Sequence, residues 1–295
     1  LPYKFAVIVN PVAGKGRTIK RLPLLREIAE KSGTRFDYYF TEAPLHATRI
    51  ADEIHTEYDA VIAYGGDGTA NEVMNGLAGT TTPFGVIPDG TGNDFARCIN
   101  VPRTFEKAIQ ILTEYKTRVM DLGTIGNRIF MNGVGVGFDA YVNLKSKSIK
   151  VLKGSLAYLY SVLSSLAFWR SLPMEIEIDG CPISNDRSFL LAIGNGWACG
   201  GGLKLNPLAD IHDSLFDICL IPEMPVWKLF MNLGRLKTGT IAEVPEVLTM
   251  RCQSIRINSE NPLPVHFDGE IYDQTAARNI EIGIVPQSAM VIGGW

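Results

Sequence analysis

Cysteine is sparse and scattered in this 295-residue chain. The five thiols at 98, 181, 199, 219 and 252 form no CxxC pair, and the four histidines do not cluster with them. That argues against a disulfide framework and against a zinc site, and favours a reducing, cytoplasmic setting. An excess of positive charge is also missing. Lys and Arg number 28 against 31 Asp and Glu, a formal net charge of −3, whereas a nucleic-acid binder carries a strongly basic face. No nucleic-acid partner is expected. Long apolar runs are missing too. The longest, SLAYLYSVLSSLAFW (155–169), has 15 residues with four serines, short of the roughly 20 that a membrane span needs. The residues following Leu1 carry no signal-peptide pattern, and no internal repeat or low-complexity tract appears.

What is present begins with a regular alternation over the first 120 residues. FAVIVN (5–10), FDYYF (36–40), DAVIAY (59–64), PFGVIP (83–88) and YKTRVMDLG (115–123) read as strands. Helical spacing fills 18–31, 44–57, about 69–77, the segment after DGTGN and 104–114. Strand–helix alternation predicts a parallel sheet with helices on both faces and ligands at the C-terminal ends of the strands. After Gly123 the rhythm changes to RIFMNGVGVGF (128–138), MEIEID (174–179), RSFLLAIGNG (187–196), LFDICLI (215–221), SIRIN (254–258), VHFDGE (265–270) and NIEIGIV (279–285), with helices near 150–170 and 225–237. This predicts a doubly wound α/β domain over 1–122 and a β-rich sandwich or barrel over 123–295.

Three glycine turns each follow a predicted strand: NPVAGKG (10–16), GGDGTANEV (65–73) and PDGTGNDFAR (88–97). A glycine turn running into a helix presents backbone N–H groups and a favourable dipole to a phosphate. In a doubly wound sheet all three can converge on one edge. Asp67 is set inside the second turn, where it can organise a metal beside phosphates or cap the helix.

The three motifs, continued by DLG (121–123), GVGFDA (135–140), GGGLKLNPLADIHDSLFDI (200–218) and FDGE (267–270) in order, resemble the diacylglycerol kinase catalytic domain family, in particular its soluble bacterial branch; sphingosine and ceramide kinases are related to it. The resemblance spans nearly the whole chain. It implies an α/β nucleotide-binding domain, a β-sandwich lipid-binding domain and an active site in the cleft between them. The activity it implies is ATP-dependent phosphorylation of a lipid hydroxyl, with Mg²⁺ and ATP required.

By match to the family's positions, nucleotide contacts fall on Asn10, Pro11, Val12, Ala13, Gly14, Thr41, Gly65, Gly66, Asp67, Gly68, Thr69, Asn71, Glu72, Thr91, Gly92 and Asn93. Asp67, Asp94 and Asp121 match the carboxylates that organise the catalytic Mg²⁺, partly through water. A hydroxyl acceptor needs a base for its proton, and the resemblance points to Asp268, with Glu270 as partner or alternative. Asp-Gly is equally a hairpin-turn signature, and that reading stands beside the chemical one. ADIHDSL (209–215) matches a structural Mg²⁺ loop, with Asp213 supplying the carboxylate and Asp210 and Leu215 carbonyls. His212 stands where an acid is frequent and Ser214 replaces the usual glycine, so a plain turn aspartate remains the alternative. His46, His55 and His266 receive no chemical role.

Four lysines (145, 147, 150, 153) precede the apolar stretch of 155–169. Basic residues beside an apolar helix suit transient docking on an anionic membrane, and a core helix with a solvated lysine-rich entry fits as well. Two other functions compete: an NAD kinase-like enzyme, which shares the GGDGT turn, and a nucleotide-binding regulator without catalysis. PDGTGNDFAR and the DGE turn favour the lipid kinase, and the presence of Asp67, Asp94, Asp121 and Asp268 favours activity. The sequence does not choose among lipids, and a homodimer stays open.

Overall fold

A computed structural model describes residues 3–148, 162, 164–166, 168–183, 187–272 and 277–295. The chain divides into two compact units, Leu1–Leu122 together with Pro286–Trp295, and Gly123–Val285.

In the first unit β1 (Lys4–Val9), β2 (Arg35–Phe40), β3 (Ala60–Gly65) and β4 (Phe84–Pro88) lie in the order β2-β1-β3-β4, parallel throughout. Helices α1 (Arg17–Ser32), α2 (His46–Ile54), α3 (Asp67–Leu77), α4 (Asp94–Cys98) and α5 (Phe105–Glu114) alternate with them. β3 is buried at every position and β1 at every position after Lys4. Continuous apolar runs without alternation are what a sheet covered on both faces requires. Phe5, Val7, Val9, Ile62 and Tyr64 pack in one cluster with Leu22 and Leu25 of α1 and Ile109 and Leu112 of α5. Each such side chain contributes roughly 1.5–3 kcal/mol by leaving water. The order reverses between β1 and β3, the position where such sheets open to a ligand.

The C-terminal residues correct the expectation that 123–295 belong together. Strand β16 (Asn279–Ile292) ends in the first unit, where Val291 pairs in parallel with Phe84 of β4 and Ile292 joins the core. Apolar residues at the chain end thus cover what would otherwise be an open, aggregation-prone strand edge.

The second unit contains two antiparallel sheets. In one, residues 279–283 of β16 pair with β13 (Ser254–Asn258), then β8 (Glu175–Ile178) and β9 (Cys181–Ile183) follow; β5 (Thr117–Ile125) pairs with β6 (Arg128–Phe130) beside it. The other runs β12 (Leu248–Cys252), β11 (Phe216–Pro222), β10 (Ser188–Gly194), β7 (Gly133–Gly137), β14 (Val265–Phe267), β15 (Glu270–Ile271). Period-two alternation assigns the faces. Leu191, Ile193, Ile218 and Leu220 join Ile176, Ile255 and Ile280 of the facing sheet, which makes a sandwich core. Leu190, Ala192, Cys219 and Ile221 point the other way and pack with Phe138 of α6 (Phe138–Ser148) and Leu229 of α7 (Val226–Thr238).

The segment read from sequence as one strand over 128–138 is broken at Met131 and Asn132, because both residues donate their N–H groups to Asp268 instead of to a ladder. The helix expected near 150–170 and its lysine-rich entry lie largely outside the described residues. Among the described residues no helix is long and apolar enough to cross a membrane.

Candidate active site

The three glycine loops meet within the first unit. Asn10, after β1, donates from Nδ2 to Thr69 Oγ1 at 3.0 Å and accepts from the Val12 N–H at 3.1 Å, which joins the first loop to the second. Arg17, opening α1, donates from Nε to Asp89 Oδ1 at 2.7 Å, which joins the first loop to the third. Arg103 closes the third loop by donating to the carbonyls of Gly90 and Thr91 at 3.1 and 2.6 Å. The second and third loops pass so closely that a β-carbon on Gly90 would stand 2.6 Å from the Gly66 Cα. Gly65, Gly66, Asp67, Pro88, Asn93 and Phe95 line a shallow pocket between them.

Asp67 collects three backbone donors from that neighbouring loop. Oδ2 accepts from Asn93 N–H at 2.7 Å, and Oδ1 from Asp94 and Phe95 at 2.7 and 3.3 Å. It therefore caps α4 from outside its own segment, satisfying N–H groups that a helix start leaves without partners. Burial pushes its carboxyl above the ordinary range, against the opposing pull of the Asn93, Phe95 and Asp94 N–H groups. Asp94 stands beside it: a β-carbon on Gly92 would approach Oδ2 of both, at 2.8 Å for Asp67 and 3.2 Å for Asp94. Asp121 is fully buried and accepts from the Gln287 N–H at 2.7 Å.

Among the described residues no three His, Cys, Asp or Glu side chains converge as a metal-holding group. The three aspartates thus provide no all-protein cage. Mg²⁺ at phosphoryl-transfer sites keeps several waters and uses one or two carboxylates plus substrate phosphates. The hard oxygens of Asp67 and Asp94, side by side at Gly92, fit that smaller demand.

Other expected nucleotide residues divide. Gly65, Gly66, Gly68 and Thr69 form the strand-to-helix turn, with Ala70 N–H already bonded to the Gly66 carbonyl. Pro11, Val12, Ala13 and Gly14 form the first loop, its tip at Val12 exposed, and Thr41 follows β2 with its N–H on the Val9 carbonyl. Thr91 is exposed and Gly92 half-buried, whereas the Asn93 side chain turns back on Gly90 through both its amide atoms. Glu72 instead accepts the Ala47 N–H at 3.2 Å, inside the first turn of α2, and buried Asn71 bonds Asn75. Glu72 thus ties α3 to α2, and Asn71 holds Asn75 one turn further along α3.

In the second unit Asp268 and Gly269 form a two-residue hairpin loop between β14 and β15, with φ of 47° and 82°. Positive φ at both positions is the type I′ pattern, for which Asp-Gly is a preferred pair. The Asp268 carboxylate accepts N–H groups from Met131 at 2.8 Å, Asn132 at 2.8 Å and Gly133 at 3.0 Å. Its orientation is fixed by the backbone ahead of β7. Glu270, next along, is exposed.

Two residues before Asp268, His266 Nε2 lies 3.1 Å from Asp139 Oδ2, and both side chains are largely buried. Gly135 lies beneath the pair, and a β-carbon there would overlap both polar atoms. Sequence reasoning assigns His266 no role. Its place two residues ahead of the Asp-Gly turn is the signal that could have found it.

The Asp213 loop departs from the metal-site expectation. Its carboxylate is paired with Arg251, which also lies 3.4 Å from Asp217, and its Oδ1 accepts the Leu215 N–H at 3.1 Å. Asp210 Oδ1 accepts the His212 N–H at 3.1 Å. A guanidinium already neutralises the carboxylate, so these residues do not fit a structural Mg²⁺. Those backbone bonds are the ones a turn aspartate makes.

An α/β unit with three phosphate-type loops and an antiparallel two-sheet unit define a class that comparison with known proteins identifies. Residues 4–125 match the diacylglycerol kinase catalytic domain, and residues 132–293 match the YegS C-terminal NAD kinase beta sandwich-like domain. A Staphylococcus aureus protein named diacylglycerol kinase is 32% identical over 269 residues, 90% of this chain and 85% of its own length. A Bacillus anthracis crystal structure described as a diacylglycerol kinase is 26% identical with a TM-score of 0.81, covering 99% of this chain and 97% of that one. A second B. anthracis structure, at 24% identity and TM-score 0.80 with the same coverage, shares the fold. The chain belongs to the diacylglycerol kinase catalytic domain family and is a lipid kinase.

Proposed function

We propose that this lipid kinase transfers the γ-phosphoryl group of ATP to the hydroxyl of diacylglycerol or a closely related lipid, working from the cytoplasm at a membrane surface. The observation that carries the reading is the convergence of three glycine loops beside Asp67 and the N-terminus of α3. The names of the relatives support diacylglycerol as acceptor.

The N–H groups around Gly65, Gly66, Gly68 and Thr69, with the α3 dipole, take the nucleotide phosphates. Asn10 and Arg17 hold the first loop against the other two, which fixes the cradle before ATP arrives. Asp67 and Asp94 would hold Mg²⁺ together with those phosphates, and Asp121 stays within the protein. When bound, Mg²⁺ neutralises charge on the phosphate oxygens. Asp268 takes the proton of the lipid hydroxyl as its oxygen bonds to the γ-phosphorus and the bond to the ADP oxygen breaks. The three N–H groups on Asp268 hold it in one orientation for that transfer, and Glu270 is its neighbour on the same turn. The proposal requires the loop cluster and the Asp268 turn to act on one substrate pair.

A mixed-micelle assay with γ-labelled ATP and Mg²⁺ tests this, offering diacylglycerol, a sphingoid base, phosphatidylglycerol and, in parallel, NAD. The expected result is label in diacylglycerol. Label in NAD alone would overturn the lipid acceptor, and label in another lipid alone would move the acceptor within the class.

A further inference from the structure

Helix α7 is apolar on two faces. Leu229, Leu233 and Leu236 face inward, onto the outer side of the six-stranded sheet. At about 100° per residue, Trp227, Phe230 and Met231 fall on the opposite side, and they are 64%, 60% and 73% exposed. Gly234 extends the same stripe, with open space where its β-carbon would be. A helix apolar all round belongs in an interior, so a second apolar face on a surface helix calls for a covering partner.

The charges beside the stripe say which. α7 carries Lys228, Arg235 and Lys237 and no acidic residue, in a chain whose net charge is −3. Lys228 and Arg235 run along one flank of the stripe and Lys237 along the other. Lys228 is paired with Glu246, and Arg235 with Glu243 at 2.6 Å, while Lys237 is exposed. An aromatic stripe with an exposed lysine at its edge matches a helix lying in the headgroup region: rings enter the acyl boundary while the Lys237 stem reaches up to an anionic phosphate.

We propose that the outward face of α7 docks the protein on an anionic phospholipid bilayer, with Trp227, Phe230 and Met231 inserted and Lys237 on lipid phosphate. The inference rests on the lipid-kinase reading for its choice of bilayer over protein. It also locates membrane contact on an element other than the lysine-rich 144–169 stretch.

The test is co-sedimentation of the full chain with phosphatidylglycerol-containing vesicles and with pure phosphatidylcholine vesicles, without ATP. Two variants are compared with the unchanged protein: Trp227→Ser/Phe230→Ser/Met231→Ser, and Gly234→Glu, which adds a carboxylate to the stripe at an open position. Turnover of a short-chain, water-dispersed diacylglycerol is followed in parallel. Both variants should lose about tenfold or more of their binding to anionic vesicles, with short-chain turnover unchanged. Loss of binding in a protein that phosphorylates no lipid would support the docking face and sink the kinase reading. Unchanged vesicle binding with normal turnover would overturn the docking face alone. A wild-type dimer in analytical ultracentrifugation, made monomeric by the triple substitution while vesicle binding persists, would also overturn it and assign the stripe to a second copy.

Discussion

Two Asp-Gly turns in the second unit share one backbone geometry. Asp179–Gly180 joins β8 to β9 with φ of 47° and 78°, and Asp268–Gly269 joins β14 to β15 with φ of 47° and 82°. In each the carboxylate reaches across to backbone N–H groups of another segment: Gln253 and Ser254 for Asp179, and residues 131–133 for Asp268. The surroundings differ. Asp179 is exposed, and its carboxylate also takes the Ser254 hydroxyl. Asp268 is half-buried, with the His266–Asp139 pair two residues away and Asn143 bonded to the Gly269 carbonyl at 2.9 Å. Turn geometry alone therefore does not make a catalytic residue, and Asp179 is an internal control for Asp268.

The largest expected difference is in turnover. Asp268→Asn should lower lipid phosphorylation by about 10²–10⁴-fold, the usual worth of a general base, while Asp179→Asn stays within about twofold of the unchanged enzyme in kcat. Equal losses in steady-state assays would reduce both turns to scaffolding. In the first unit Asp67 gathers backbone donors in the same way, but among the glycine loops proposed to hold phosphate. Asp67→Ala should raise the KM for ATP by about tenfold or more, and an unchanged KM would leave Asp67 as a helix cap only.

Asp67 also makes a pH prediction. Its folded-state pKa is raised by burial, so between the ordinary carboxylate value and the raised one the folded protein binds more protons than the unfolded chain. Stability then falls as pH rises through that window. Urea midpoints measured from mildly acidic to neutral pH should show a flatter slope for Asp67→Asn, and identical slopes would contradict the shift.

Smaller effects sharpen the contrast between the turns. Gly135→Ala should displace the His266–Asp139 pair and cost about 1–3 kcal/mol by overpacking, read from denaturant midpoints; a neutral result would mean the pair can move aside. Two buried thiols report on opposite sides. Cys252, next to the residues held by Asp179, and Cys219, near Asp139, are both pushed by burial up to about 12. Neither should react with a thiol reagent at mildly alkaline pH, while exposed Cys181 does. Asp179→Asn should speed labelling of Cys252 and leave Cys219 protected. Parallel acceleration of both would mean that the turns are coupled.

Much of this arrangement is legible in the order of the residues. The apolar runs at 5–9 and 60–64 fit only strands covered on both faces, and glycine turns after them have to reach one sheet edge. A capping role for Asp67 is readable from its place in the turn. The helix it caps is not, because the donors at 93–95 belong to another loop and adjacency across loops has no local signature. Glu72 looks like part of a phosphate motif, yet its side chain caps α2, a use fixed by packing between helices. Arg251 stands 38 residues from Asp213 in sequence, so nothing local reveals that a guanidinium takes the place expected for a metal. The final strand runs past its expected end because Val291 and Ile292 complete the first unit, a long-range pairing that local pattern cannot show.

The proposed function divides labour between the units: the glycine loops of the first would hold ATP, and the Asp268 turn of the second would take the proton. The most direct test is the ATP dissociation constant of Asp268→Asn, measured by calorimetry on protein whose lipid phosphorylation has been assayed in the same preparation. ATP affinity should stay within about twofold of the unchanged protein with phosphoryl transfer lost. Retained transfer, or ATP affinity that falls along with it, would refute the division.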